Sequence, residues 1–160
     1  MLQFGTLVLT FGLVLGSDVE TPSQQAKHVC ESMIKAFLAN DVDGVMKSVA
    51  VPFYDSSDAK GHRIVRDWKQ LSIITKAAMN PEPAKHVAVR VVENYSYGEM
   101  LSRSDINFSK EEKNMFDQVM NKEDSVLVVV IQRDDRNSPL NLVMVGCRNG
   151  KAKVVGFYAR

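Results

Sequence analysis

Side chains suited to acid–base chemistry are few in this sequence and lie in two short stretches. Tyr54 and Asp55 stand side by side before a polar loop, and Tyr95 and Tyr97 follow a run of alternating valines. A carboxylate buried in an apolar cavity has a raised pKa and can act as a general base near neutral pH. Asp55, however, continues into Ser56-Ser57-Asp58, and this composition favours a solvated turn acid over a catalytic one.

Three aromatic side chains are candidates for binding a ligand. Trp68 lies on the apolar face of a predicted helix, which favours a core position over a ligand contact. Tyr95 and Tyr97 have the strand parity of the valines within residues 87–91. They therefore either line the mouth of a cavity or close the core with hydroxyls at its rim, and the second interpretation is favoured.

Motifs of the common cofactor and metal chemistries are absent from the sequence. It contains no HExxH, no cluster of histidines or carboxylates, no GxSxG and no GxxxxGK[ST], so we expect no metal and no cofactor. The formal net charge is only +1 and the basic residues are scattered, which gives no reason to expect a nucleic-acid partner. Without a convergent set of titratable residues, the sequence favours a non-catalytic protein over an enzyme.

The first sixteen residues carry no charged side chain and are almost wholly apolar. They are too few to span a bilayer, since a membrane helix needs roughly 20 residues. They fit the hydrophobic region of a secretory signal, with small residues before Ser17, although no Lys or Arg precedes them. We therefore predict a signal peptide over residues 1–16 and export to the periplasm or the exterior after cleavage near Gly16. An uncleaved strand or anchor is the alternative. Residues 17–160 then form a single domain without a membrane span.

Cys30 and Cys147 both remain after that cleavage. In an exported protein they can form one disulfide that ties the first helix to a late strand. The alternative is a pair of buried thiols that act as small hydrophobic side chains, and the apolar surroundings of both cysteines favour it.

Capping signals and apolar spacing predict the helices. Residues 26–37 place their apolar side chains at helical spacing on one face. Residues 95–107 follow no regular pattern and are predicted to be irregular. Four helix starts are marked by a capping side chain, at Thr21, Asp41, Asp67 and Ser109.

The C-terminal third predicts a three-strand meander, with strands at residues 125–132, 140–147 and 152–158. Residues 126–131 are apolar on both faces, whereas antiparallel sheets usually keep one face in water. Helices cover only one face, so we expect a homodimer in which a second copy packs sheet to sheet. The alternative is coverage of that face by residues 95–121.

Five features in chain order carry a family resemblance: a long helix over residues 25–37, its break at 40–43, an extended segment at 51–55, Gly61 ahead of the helix at 67–78, and the meander. This order resembles the nuclear-transport-factor-2-like (NTF2-like) superfamily, the cystatin-like α+β cone that includes ketosteroid isomerase and the SnoaL-like polyketide cyclases. The resemblance covers nearly all of residues 17–160 but is a pattern of elements. Residues 97–121 form an insertion relative to the shortest family members.

Such a resemblance implies an α+β fold with N-terminal helices packed in the concave face of a curved antiparallel sheet, a cavity at its open end, and frequent dimers. It implies no single reaction, because this fold hosts enzymes and binding proteins alike. Our leading hypothesis is an exported, non-catalytic module that binds a small apolar ligand or dimerises. The alternative is an isomerase- or cyclase-like enzyme with Asp55 as base and Tyr54, Tyr95 or Tyr97 as donors. A structural protein with a filled cone is the third possibility.

Overall fold

A computed structural model describes residues 20–56, 61–79, 82–104, 107–134 and 136–159, so the predicted signal peptide lies outside the described residues. None of the described helices has the length and apolar content needed to cross a bilayer. The elements in chain order are α1 (Pro22–Leu38), α2 (Val42–Ser48), β1 (Val49–Asp55), β2 (Arg63–Val65), α3 (Trp68–Ala78), β3 (Val87–Ser96), α4 (Tyr97–Ser102), α5 (Lys110–Phe116), β4 (Ser125–Arg133), β5 (Arg136–Asn137), β6 (Asn141–Arg148) and β7 (Lys151–Ala159).

The four predicted helix caps are confirmed. Each capping side chain accepts a hydrogen bond from a backbone N–H in the first turn, and Thr21 and Ser109 form complete capping boxes. A further helix, α4, begins inside the stretch predicted to be irregular. Ser96 caps it and forms a capping box with Glu99, a signal that is present in the sequence but opens a helix too short to show an apolar period.

The strands form one seven-stranded sheet in the order β2-β1-β7-β6-β4-β3, with β5 paired to β4. The predicted meander of β4, β6 and β7 is confirmed, and its last turn has Asn149 and Gly150 at positive φ, as a tight hairpin requires. The expected sheet was wholly antiparallel, but β1 pairs in parallel with β7, so the sheet is mixed.

One face of the sheet packs against the first three helices. Ala26, Cys30, Met33 and Ile34 of α1 contact the odd-numbered valines of the central strands, including Val129 and Val143. This helix-facing core contains the positions predicted from the apolar face of α1. Through this core, the helices pack against the concave side of the curved sheet.

The far face of the sheet is also apolar, as the sequence predicts, and the chain covers it with its own residues. Tyr97 and Met100 of α4 and Phe116 of α5 pack with Val126 and Met144 of the sheet in a second buried core. The structure therefore shows the alternative, in which residues of the same chain cover this face. The apolar face no longer gives a reason to expect a homodimer, and dimerisation stays a prediction.

Candidate functional site

A cavity of about 410 Å³ lies between helices α1 to α3 and the concave side of the sheet. Some of its lining residues, such as Phe37 and Ile131, keep partial solvent exposure, so the cavity opens to the surface. A filled cone is thus not what the structure shows. Most of the wall is apolar and includes Met33, Phe37, Val45, Phe53, Leu71 and Phe157.

Asp55 and Thr75 are the polar side chains of the wall, and both residues are buried. Asp55 is the last residue of β1 and is only 4% exposed, so the interpretation as a solvated turn acid is wrong. Arg63 lies opposite it in the β1–β2 pairing and donates from Nε and Nη2 to the Asp55 Oδ2 at 2.9 and 2.7 Å. These charge-assisted hydrogen bonds compensate the burial of the carboxylate.

Tyr54 does not share the cavity with Asp55. Successive side chains of a strand point to opposite faces, and Phe53 and Asp55 take the cavity side of β1. Tyr54 is therefore on the far side, where it is fully buried in the second core. Because Tyr54 and Asp55 are neighbours in one strand, their side chains lie on opposite faces of the sheet.

Tyr95 and Tyr97 also lie with the far core, and a β-bulge explains why the parity argument fails. Val91 pairs with Val129 on the helix-facing side, but Glu93 pairs with Val128, so Val92 is an extra residue in β3. Beyond the bulge the faces exchange, and Tyr95 packs against the second core. Tyr97 is buried there at the start of α4 and donates to Asp117 Oδ1 at 2.7 Å.

Trp68 is 46% exposed, so the prediction of a core position is wrong, and the lining of the cavity does not include it. It is the first residue of α3. Because helical Cα–Cβ bonds tilt toward the N-terminus, a side chain at the first position extends past the start of the helix. Leu71 and Thr75, further along α3, are the residues that reach the cavity.

Two searches by sequence, against family models and against curated proteins, find no match. Comparison with solved structures does find similar folds. An NTF2-like protein of unknown function from Silicibacter pomeroyi DSS-3 aligns with a TM-score of 0.50 at 9% identity, over 86% of this chain and 96% of that one. Another from Shewanella oneidensis MR-1 aligns with a TM-score of 0.50 at 10% identity, over 86% and 97%. This chain has an NTF2-like fold.

Sequence reasoning missed two residues of the site, one beside the NTF2-like cone and one in its wall. Arg63 lies outside the lining but pairs with Asp55, because the hairpin of β1 and β2 brings the two opposite charges together. Thr75 follows Leu71 by four residues and so lies on the same apolar face of α3. This spacing is the sequence signal that could have identified Thr75 as a lining residue.

Outside the cone, four polar and aromatic side chains cluster over the far core. His62 keeps 36% of its side chain exposed and stacks on the rings of Tyr54 and Tyr158, with ring centroids 5.8 and 5.7 Å apart. The Tyr54 hydroxyl hydrogen-bonds to His62 Nδ1 at 2.7 Å. Tyr158 donates to Glu112 Oε1 at 3.0 Å, and His62 Nε2 lies 3.6 Å from the same oxygen. Burial raises the pKa of Tyr54 far above its usual range, with smaller contributions from Glu112 and the neighbouring acids.

Both cysteines are free thiols in the structure, so it does not contain the possible Cys30–Cys147 disulfide. Cys30 is fully buried in the helix-facing core, as the alternative expects. Burial, followed by the charge of Glu31, raises the pKa of this thiol to about 12. Cys147 lies near the end of β6 and is exposed, so its expected core position is wrong.

Proposed function

We propose that this chain is a non-catalytic binding protein that holds a small apolar molecule in the cone between α1, α2, α3 and the sheet. The observation that carries the proposal is the cavity of about 410 Å³ with a mainly apolar wall. Ligand pockets in proteins typically have about 300–1,000 Å³ and a few placed polar groups among apolar side chains. Protein cores otherwise pack to the density of organic crystals, so an unfilled cavity of this size favours a binding site.

The same cavity supports binding better than acid–base catalysis. Asp55 is engaged by two hydrogen bonds from Arg63 and would have to weaken that ion pair to take up a proton. The hydroxyl donors of the hypothesised enzyme, Tyr54, Tyr95 and Tyr97, are not among the cavity-lining residues that the structure describes. An isomerase- or cyclase-like enzyme remains the second candidate, and the burial of Asp55 in the wall is the observation that favours it. Turnover that disappears in Asp55→Asn would support the enzyme.

The proposal is tested with the fluorescent apolar probe 1-N-phenylnaphthylamine, titrated into the chain expressed from Ser17. We expect saturable binding to the wild-type protein. Ala78 lies on α3 and lines the cavity while keeping solvent exposure, so Ala78→Phe should narrow the opening without disturbing the core. We expect this variant to bind the probe at least about tenfold more weakly.

Ala77→Phe is the matched control, because Ala77 is an exposed neighbour on the same helix that does not line the cavity. It adds the same apolar ring to the surface and should bind the probe as the wild type does. Absence of saturable binding to the wild type, or equal affinity in both variants, would contradict the proposal. Native mass spectrometry of gently purified protein then identifies the mass of any molecule retained.

A further inference from the structure

We infer that the molecule held in the cone is uncharged and carries a hydroxyl group, which donates to the Asp55 carboxylate at the polar end of the cavity. This inference rests on the proposed function and narrows it to a class of ligand, an apolar alcohol.

The first step of the argument is the chemistry of the wall. Of the polar side chains that line the cavity, Asp55 brings a carboxylate and Thr75 a hydroxyl. Both residues are buried, at 4% and 8% exposure, so a ligand group that contacts them leaves water. An ionised carboxylate only accepts hydrogen bonds and has about four acceptor positions. The ligand group that satisfies this wall is therefore a donor.

The second step is the charge of the ion pair. Arg63 neutralises Asp55 from outside the cavity, since Arg63 is absent from the described lining and its side chain is 38% exposed. An anionic ligand would bring a second negative charge toward the buried carboxylate. A cationic ligand would bring a second positive charge to a carboxylate that already pairs with Arg63, and burying such a charge is unfavourable. A neutral hydroxyl avoids both costs.

The third step is the position of Thr75. It lies on α3, whereas Asp55 lies at the end of β1, so the two polar groups approach the cavity from the helix layer and from the sheet. A hydroxyl both donates and accepts, and Thr75 has the same two capacities. Thr75 can therefore complete the hydrogen bonding of an alcohol whose proton is directed at Asp55.

The experiment compares three ligands with the same ten-carbon chain, 1-decanol, decanoate and decylamine, as competitors of bound 1-N-phenylnaphthylamine at pH 7.5. We expect 1-decanol to displace the probe at a concentration about tenfold lower than either charged compound. In Asp55→Asn the wall loses the negative charge that disfavours an anion, so decanoate should become the strongest competitor of the three. In Thr75→Val, which keeps the shape of the side chain, decanol should bind about fivefold more weakly, once its competition is corrected for the affinity of the same variant for the probe.

Each outcome decides one of the two proposals. If the probe fails to bind to the wild-type cavity, the proposed function is wrong and the ligand class falls with it. If the probe binds but decanoate or decylamine competes as well as decanol, or Asp55→Asn leaves the order unchanged, only the ligand class is wrong. Retained circular dichroism and cooperative urea unfolding show that each variant is folded.

Discussion

Removing the carboxylate of Glu112 should loosen the cover over the far face of the sheet. Its Oε2 accepts the backbone N–H of Ser109 at 2.7 Å and completes the capping box of α5. Its Oε1 accepts the hydroxyl of Tyr158 on β7 at 3.0 Å. Only 13% of the side chain is exposed. One side chain thus joins the start of α5 to the last strand.

The expected cost follows from these two hydrogen bonds. Loss of half a capping box costs about 1 kcal/mol. Loss of a hydrogen bond to a charged acceptor costs about 1.5–3 kcal/mol. The ion pair with His62 is long, at 3.6 Å, and the His62 side chain is 36% exposed, so the pair adds little. Glu112→Ala should therefore lower the free energy of unfolding by about 3 kcal/mol.

The effect of Glu112 should also depend on pH. Burial raises the pKa of this carboxyl, but the amide and hydroxyl of Ser109, the Tyr158 hydroxyl and the charge of His62 outweigh it, so the pKa lies below its usual value. A carboxyl whose folded pKa is lowered stabilises the protein above the unfolded pKa of about 4.3. That stabilisation is lost as the pH falls through the lower, folded value.

Urea unfolding at pH 7 and at pH 3, followed by the fluorescence of Trp68, measures both effects. Glu111→Ala is the matched control, because Glu111 is exposed in the same turn of α5 and loses the same charge. A Glu112→Ala variant no less stable than Glu111→Ala at pH 7 would refute the reasoning. So would a difference between wild type and Glu112→Ala that is as large at pH 3 as at pH 7.

Three further predictions use other features of the chain. A thiol reagent at pH 8 should modify Cys147 and spare Cys30, whose burial raises its pKa to about 12; two reactive thiols in the native protein would contradict this. Burial raises the pKa of Tyr54 and Tyr97, so their stabilising effect is complete below pH 10 and is lost at more alkaline pH. Ultraviolet titration should show both side chains ionising only as the protein unfolds. Ionisation of Tyr54 or Tyr97 near pH 10 in the folded protein would contradict this. We also propose export, so N-terminal sequencing of the secreted product should begin at Ser17, and retention of the full chain inside the cell would contradict it.

The features that local sequence specifies were predictable. Helix caps such as Thr21 and Ser109 need only a few neighbouring residues, and the apolar periods of α1 and β4 follow from the face each element buries. The turn at Asn149–Gly150 is likewise a local feature, since an Asn-Gly pair favours a tight hairpin. The order of elements then pointed to the NTF2-like fold.

The composition of the site was not predictable, because it depends on which face each side chain takes after distant pairing. The bulge at Val92 carries no glycine or proline to mark it, yet it moves Tyr95 to the other side of the sheet. Asp55 resembled a loop residue until β2 returned and placed Arg63 beside it. The cover of the far face likewise required the packing of residues 97–120, which local patterns do not fix.

The placement of β7 has a consequence for biosynthesis. This strand is made after all the other described strands, yet it lies between β1 and β6 and joins the first hairpin to the rest of the sheet. Until residues 151–159 have been made, the sheet lacks the strand that joins its two halves, so the domain cannot complete its fold while the preceding strands leave the ribosome. A truncation that removes β7 would separate the two halves and leave an open edge on each.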